Sequence, residues 1–156
     1  SLADYLRIRV ERDQSDPEVE QIFREHVQAI IGSQDEETGR WLTVMSHPDE
    51  PDNYLETSAT ALFSYGIARA YRYGILGDAQ RKVALKAIEG ATEMIVDGGD
   101  GPDQEFVVSE PAATGVSTAT DPWSLQEYLD VAVEDDVNYG VGVAILALIE
   151  TSGLPE

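Results

Sequence analysis

The chain has 156 residues, 42% of them apolar, and thirty acidic side chains against ten basic ones leave it a net charge of −20. That is a globular composition, long enough for one domain with its own core, and a charge that repels nucleic acid and anionic membranes, so neither is expected as a partner. There is no Cys, which excludes disulfides and thiolate chemistry, and no apolar run approaches the roughly 18 residues of a membrane-spanning helix.

In chain order, Leu2 to Gln14 is a short mixed stretch, compatible with the tail of an earlier helix. Asp16-Pro17 reads as an N-cap followed by proline at the first helical position. From there Val19, Ile22, Phe23, Val27, Ile30 and Ile31 recur at helical spacing opposite Glu18, Gln21, Glu25 and Gln28, which predicts an amphipathic helix over 17–33 with one wet face. Residues 35–40 form a turn, 41–45 are at most a short extended piece, and Pro48 and Pro51 mark 46–53 as a loop.

The segment 54–74 differs in kind. Only Glu56, Arg69 and Arg72 are charged, and small residues (Ser58, Ala61, Ser64, Gly66, Ala68, Ala70) run around its whole circumference. A helix without a polar face must be surrounded, so this one is predicted to be an inner helix. A third helix over 79–95 is amphipathic again, with Val83, Ala84, Ala87, Ile88 and Ala91 opposite Arg81, Lys82, Lys86 and Glu89. Residues 104–109 suggest a short strand, 110–122 are irregular and 122–129 a short helix. The nearly all-apolar run 139–151 predicts a second buried helix. Outer, inner, outer, irregular, inner is the pattern of an α/α toroid, whereas a plain bundle gives every helix a wet face.

The acidic residues are spread along the chain and form no block, and lysines are reduced to Lys82 and Lys86, which reads as a salt-adapted surface. Ser1-Leu2-Ala3-Asp4 carries no secretory pattern, so the expectation is a cytoplasmic protein.

The string Tyr54-Leu55-Glu56-Thr57-Ser58-Ala59 resembles the segment that opens an inner helix in the C-terminal halves of glycoside hydrolase families 88 and 105, the unsaturated glucuronyl and rhamnogalacturonyl hydrolases. Gly39-Arg40-Trp41 upstream, Tyr73-Gly74-Ile75-Leu76 downstream and Asp135-Asp136 with Gly140-Val141-Gly142 near the end are similar to flanking motifs of the same families, so the likeness covers about residues 17–151. The resemblance implies an all-α fold, a partial (α/α)6 barrel of inner and outer hairpins, with residues 1–156 as one domain equal to about half the ring. It also implies hydration of a Δ4,5-unsaturated uronic acid at the end of a pectin-type oligosaccharide, driven by an Asp general acid, with no cofactor. The family's catalytic Asp and its Trp/Arg/Asn pocket motif belong to the earlier half, and neither is found here, so this chain is expected to be inactive alone, whether as the C-terminal part of an enzyme or as a non-catalytic, self-associating or partner-binding module.

Three residues are substrate-binding candidates: Trp41, Glu56 and Ser58. Trp41 suits either a stacking platform for a sugar or a packing role between hairpins. Glu56 and Ser58 suit either the mouth of a sugar pocket or the capping of the inner helix, since a carboxylate at a helix N-terminus is favoured by the macrodipole. Trp123 reads as a helix-start residue, and Asp135-Asp136 as an N-cap of the last helix. No metal site is expected: His26 and His47 lie far apart in sequence, and the 97–103 Asp/Gly turn lacks the spacing of a calcium loop. Half a ring leaves inner helices bare on one side, so a homo-oligomer or a missing N-terminal half is expected as partner.

Overall fold

The computed structural model describes residues 1–97, 111–119 and 124–155. Six helices occur among them: α1 Leu2–Glu11, α2 Pro17–Ile31, α3 Thr57–Arg72, α4 Asp78–Thr92, α5 Leu125–Leu129 and α6 Asn138–Thr151. Three short antiparallel strand pairs join the loops between them: β1 (Trp41–Leu42) with β2 (Leu55–Glu56), β3 (Ile95–Asp97) with β4 (Pro111–Ala113), and β5 (Val116–Ser117) with β6 (Val133–Glu134).

The helix starts follow local chemistry. Ser1 and Asp4 form a reciprocal capping box on α1, so the mixed N-terminal stretch is a helix of its own. Asp16 caps α2 by accepting the Val19 N–H, with Pro17 at the first position as the sequence predicts. The inner helix begins at Thr57 rather than Tyr54, because Leu55 and Glu56 pair with Leu42 and Trp41 before the chain turns helical. It ends at Arg72, and just beyond the cap residue Tyr73, Gly74 takes the left-handed conformation (φ 72°), after which Ile75 and Leu76 enter the core. Residues 111–119, expected to be irregular, contain β4 and β5.

α3 is the centre of the assembly. It packs along α4 on one side and α6 on another, with α1 beside it. Phe23 and Val27 of α2 meet Ile67, Ala68 and Ala70 of α3 and Ala84 of α4 in the main core. Close approach is built into α4: a Cβ at Gly90 would come 2.0 Å from the Thr38 carbonyl oxygen, so only glycine lets the helix press against the 35–40 turn. A polar cluster ties the inner helices together: Arg69 bonds Asp4 of α1 at 2.7 Å and lies 3.5 Å from the Glu150 carboxylate of α6, which also meets Arg72 at 3.3 Å.

Two expectations need correction. α6 is not enclosed: Gly140, Ala144 and Ala147 are buried against the body, but Leu146 is 47% and Ile149 66% exposed, with Ile145 and Leu148 beside them. The same holds for one side of α3, where Ala61 is fully buried and Leu62 is 48% exposed. An apolar circumference records that a helix is built to be surrounded; here the described chain covers only one side of the arc. Second, Asp136 does not cap α6. Val137 occupies the cap position with no side-chain bond, while Asp136, in the left-handed region (φ 53°), bonds Ala113 twice, accepting its N–H at its own Oδ1 and donating to its carbonyl, both at 2.9 Å.

Candidate functional site

The segments that enter α3 and α6 meet at one end of the arc. The chain at 113–118 lies across the N-terminus of α3: the Thr57 N–H donates to the Gly115 carbonyl at 3.1 Å, and the Ser117 N–H donates to Glu56 Oε1 at 3.1 Å. Gly115 is left-handed (φ 71°), and a Cβ there would sit 3.0 Å from the buried Thr57 hydroxyl, so glycine is what lets this strand lie so close. On the other side Val116 presses into α6 at Gly140, where a Cβ would meet its methyls at 2.8 and 2.9 Å.

Glu56 is the hub. It is 3% exposed and serves as the N-cap of α3, accepting the Ala59 N–H at Oε2 and the Ser58 hydroxyl at Oε1 (2.8 Å) besides Ser117. Its carbonyl oxygen accepts the Thr60 hydroxyl at 2.6 Å, and that hydroxyl oxygen in turn accepts the Trp41 N–H at 3.2 Å. Glu56 and Ser58 close the helix end and also line a cavity of about 380 Å3.

The rest of that cavity wall is Thr43, Ala59, Leu62, Ser117, Thr118, Ala119, Tyr128 and Tyr139. Among the described residues that line it, six carry hydroxyls and one a carboxylate, and none carries a cationic side chain. Tyr139 titrates above the ordinary phenol value, first because burial disfavours its charged form and then because Glu56 and Glu134 add negative potential. Sequence reasoning missed Ser117, Tyr128 and Tyr139. Tyr139 stands at the start of a run read only for its hydrophobicity, and Ser117 reaches Glu56 only through long-range pairing.

Trp41 is not on this wall. It is 0% exposed, donates its indole N–H to the Ile30 carbonyl at 2.8 Å, and packs edge-on to Phe63 with ring centres 5.1 Å apart. With both faces enclosed it has none to offer a sugar, so the packing role is the one its geometry serves. Asp135 is exposed and Asp136 is engaged with Ala113, so the pair does not act on the cavity together. His26 is exposed on α2, His47 shares a 2.9 Å hydrogen bond with Ser46, and no group of three or more metal-ligating side chains occurs among the described residues. Trp123, residues 104–109 and the 98–103 part of the Asp/Gly turn lie outside the described residues. Among those described, no helix is long and apolar enough to cross a membrane.

An arc of hairpins whose inner helices begin at a hydroxyl-rich hollow is the architecture of an α/α toroid of the glycoside hydrolase kind, and solved structures bear that out. A family 105 glycoside hydrolase of C. acetobutylicum superposes with a TM-score of 0.84 at 20% identity, over 98% of this chain and 42% of that one. A possible family 105 member from Salmonella enterica gives a TM-score of 0.74 at 29% identity, over 96% of this chain and 36% of the other. The counterpart from Klebsiella pneumoniae gives 0.74 at 30% identity, over 96% and 35%. The chain belongs to glycosyl hydrolase family 88, whose model matches residues 1–154. It is also 36% identical over 75 residues to a 24.9 kDa protein of the picA locus of Rhizobium radiobacter, a stretch that is 48% of this chain and 32% of that protein. A protein of Agrobacterium fabrum matches to the same extent. The chain thus spans less than half the length of the solved structures it resembles.

Proposed function

We propose that this chain is the C-terminal part of an unsaturated uronyl hydrolase and supplies one wall of its sugar pocket. The reaction adds water across the vinyl-ether double bond of a Δ4,5-unsaturated uronic acid at the end of a pectin-type fragment. A proton goes to C4 and hydroxide to C5, and the resulting hemiketal opens to release the neighbouring sugar. The observation that carries this reading is the Glu56 hub: a buried carboxylate at the start of an inner helix, beside a cavity rimmed with hydroxyls. Sugars are recognised by such convergent hydroxyl and carboxylate groups combined with aromatic rings.

Among the described residues Glu56 is the only carboxylate on that wall, and its oxygens are committed to Ser58, Ala59 and Ser117. A general acid needs a proton it can deliver, so the acid comes from the complementary part of the ring. The test is to give the 156-residue chain an unsaturated disaccharide and follow both the ultraviolet absorbance of the double bond and the amide spectra of Ser58, Ser117 and Tyr139. Perturbed wall amides without loss of absorbance are expected. Clear turnover would overturn the assignment of the acid to another segment, and undisturbed wall amides would overturn the wall itself.

A second reading is a non-catalytic module that associates through its bare helices, favoured by the exposure of Ile145, Leu146, Leu148 and Ile149 on one helix of a strongly acidic chain. Light scattering in molar salt separates the two: a homodimer or larger assembly without sugar binding is the outcome for a self-associating module, and a sugar-binding monomer counts against it.

A further inference from the structure

We propose that Asp136 is the positioning residue of the Glu56 wall: by holding Ala113 it fixes a bulge that sets Ser117 and Tyr139 against the hollow together. This rests on the reading of the wall as one side of a uronyl hydrolase pocket and adds to it the group that fixes the wall's shape.

Register decides the geometry. β5 and β6 pair Val116 with Glu134 and Ser117 with Val133, and the Thr118 N–H follows by donating to the Ala132 carbonyl at 2.9 Å. Regular continuation in the other direction brings Thr114 opposite Asp136. Asp136 holds Ala113 instead, through its backbone N–H to the Ala113 carbonyl and through Oδ1 to the Ala113 N–H, both at 2.9 Å. The strand therefore carries one extra residue between Ala113 and Val116, which is a bulge, and Gly115 takes it up in the left-handed conformation (φ 71°). Asp136 is left-handed as well (φ 53°), a conformation that Asp and Asn tolerate better than other residues with a Cβ. The bulge turns Thr114 and Gly115 to other partners: the Thr114 N–H donates to the Met94 carbonyl at 2.9 Å, and the Gly115 carbonyl accepts the Thr57 N–H at the start of α3. Just beyond, the Ser117 N–H meets Glu56. On its other side Asp136 leads directly into the start of α6, where Tyr139 joins the wall and Val116 seats on Gly140. One exposed residue outside the cavity lining thus ties both sides of the wall to one register. A slip by a single position would turn Ser117 away from Glu56.

The test compares variants of the chain in molar KCl, with hydrogen exchange and the binding of an unsaturated uronyl disaccharide as readouts. Asp136→Asn keeps the acceptor and tolerates the left-handed backbone. Exchange at Thr57 and Ser117 and affinity for the disaccharide should then stay within about twofold of the parent. Asp136→Gly keeps the backbone freedom and loses the acceptor. Thr57 and Ser117 should exchange at least about fivefold faster and the disaccharide bind about fivefold more weakly, while the core amides of Ala68 and Ala84 keep their rates. Asp136→Ala, which loses both, should be the weakest binder. If Asp136→Gly frees only the Ala113 amide and binds like the parent, Asp136 does no more than close a turn, and the proposal falls while the pocket reading stands. Exchange that quickens at Ala68 and Ala84 by the same factor as at Ser117 is a global loss and overturns it too. An Asn variant that behaves like the Gly one assigns the effect to charge and not to the hold on Ala113, with the same consequence. Failure of the disaccharide to perturb Ser58, Ser117 or Tyr139 in the parent removes the pocket itself, and the positioning role with it.

Discussion

The indole N–H of Trp41 and the carbonyl of Ile30 are bonded at 2.8 Å, joining β1 to the last turn of α2. That bond sits beside Phe63 at a point with no solvent access. Trp41→Ala should therefore cost about 3–5 kcal/mol of stability, as large-to-small changes in a core do. Trp41→Phe should cost about 0.5–1.5 kcal/mol through the lost indole bond, since the Ile30 oxygen still accepts the Ser33 N–H at 3.0 Å. Urea unfolding in molar salt measures both, and sugar-induced shifts at the wall should be unchanged in folded Trp41→Phe.

Glu56→Ala removes a helix cap and strands buried donors in one step. The cap contributes about 1 kcal/mol, and leaving the Ser58 hydroxyl and the Ser117 N–H without their acceptor adds about 1–3 kcal/mol. Hydrogen exchange should show the loss at Ala59 and Ser117 first, with the helical core of α3 and α4 protected as before. Uniform loss across the chain would contradict the picture of a local hub.

Acid should expose two other carboxylates. Burial alone would raise Asp4, but hydrogen bonds from Ser1 and Tyr65 and the charge of Arg69 outweigh it and hold the group below its usual 3.8. Asp35 is lowered from 3.8 by the hydroxyl and backbone N–H of Thr38. A carboxyl lowered by folding contributes stability that is fully present above the unfolded pKa and is lost as pH falls through the folded one. The loss should thus begin near pH 4 and deepen below it, and Asp4→Asn with Asp35→Asn should flatten that acid limb while leaving neutral pH behaviour parallel to the parent. Measuring in molar salt keeps the relief of surface repulsion from masking the effect.

Salt itself should matter. With −20 on 156 residues, repulsion between surface carboxylates extends over about 30 Å at 0.01 M ionic strength and about 3 Å at 1 M. The melting temperature should rise steadily with KCl over that range; a flat response would remove the case for a salt-adapted surface.

What the sequence disclosed follows from the range of the interactions involved. The start of α2 was legible because Asp16, Pro17 and Val19 settle it among themselves. The faces of α2 and α4 were legible in the main, since helical spacing decides which side chains share a face. But Arg81, expected on the wet side of α4, is buried, and Ile22, expected on the apolar side of α2, is exposed. Which side of α6 is bare was not: an apolar circumference is the same whether a neighbour is present or awaited, and only the small number of helices, about half a ring, pointed to a bare side at all. The fate of Trp41 depended on Ile30 and Thr60, and the role of Asp136 on Ala113, 23 positions away. Of the wall, Glu56 and Ser58 could be named because they belong to one short motif, while Ser117 and Tyr139 arrive from a segment with no such mark.

Sixty-one positions separate Glu56 from the Ser117 amide it accepts. Loop closure over that distance carries an entropic penalty that nearby pairings do not, so the hollow should be among the last features to appear as the polypeptide organises, after the α3–α4 hairpin has formed. Exchange of one amide hydrogen, on Ser117, would then serve as a clock for completion of the native state.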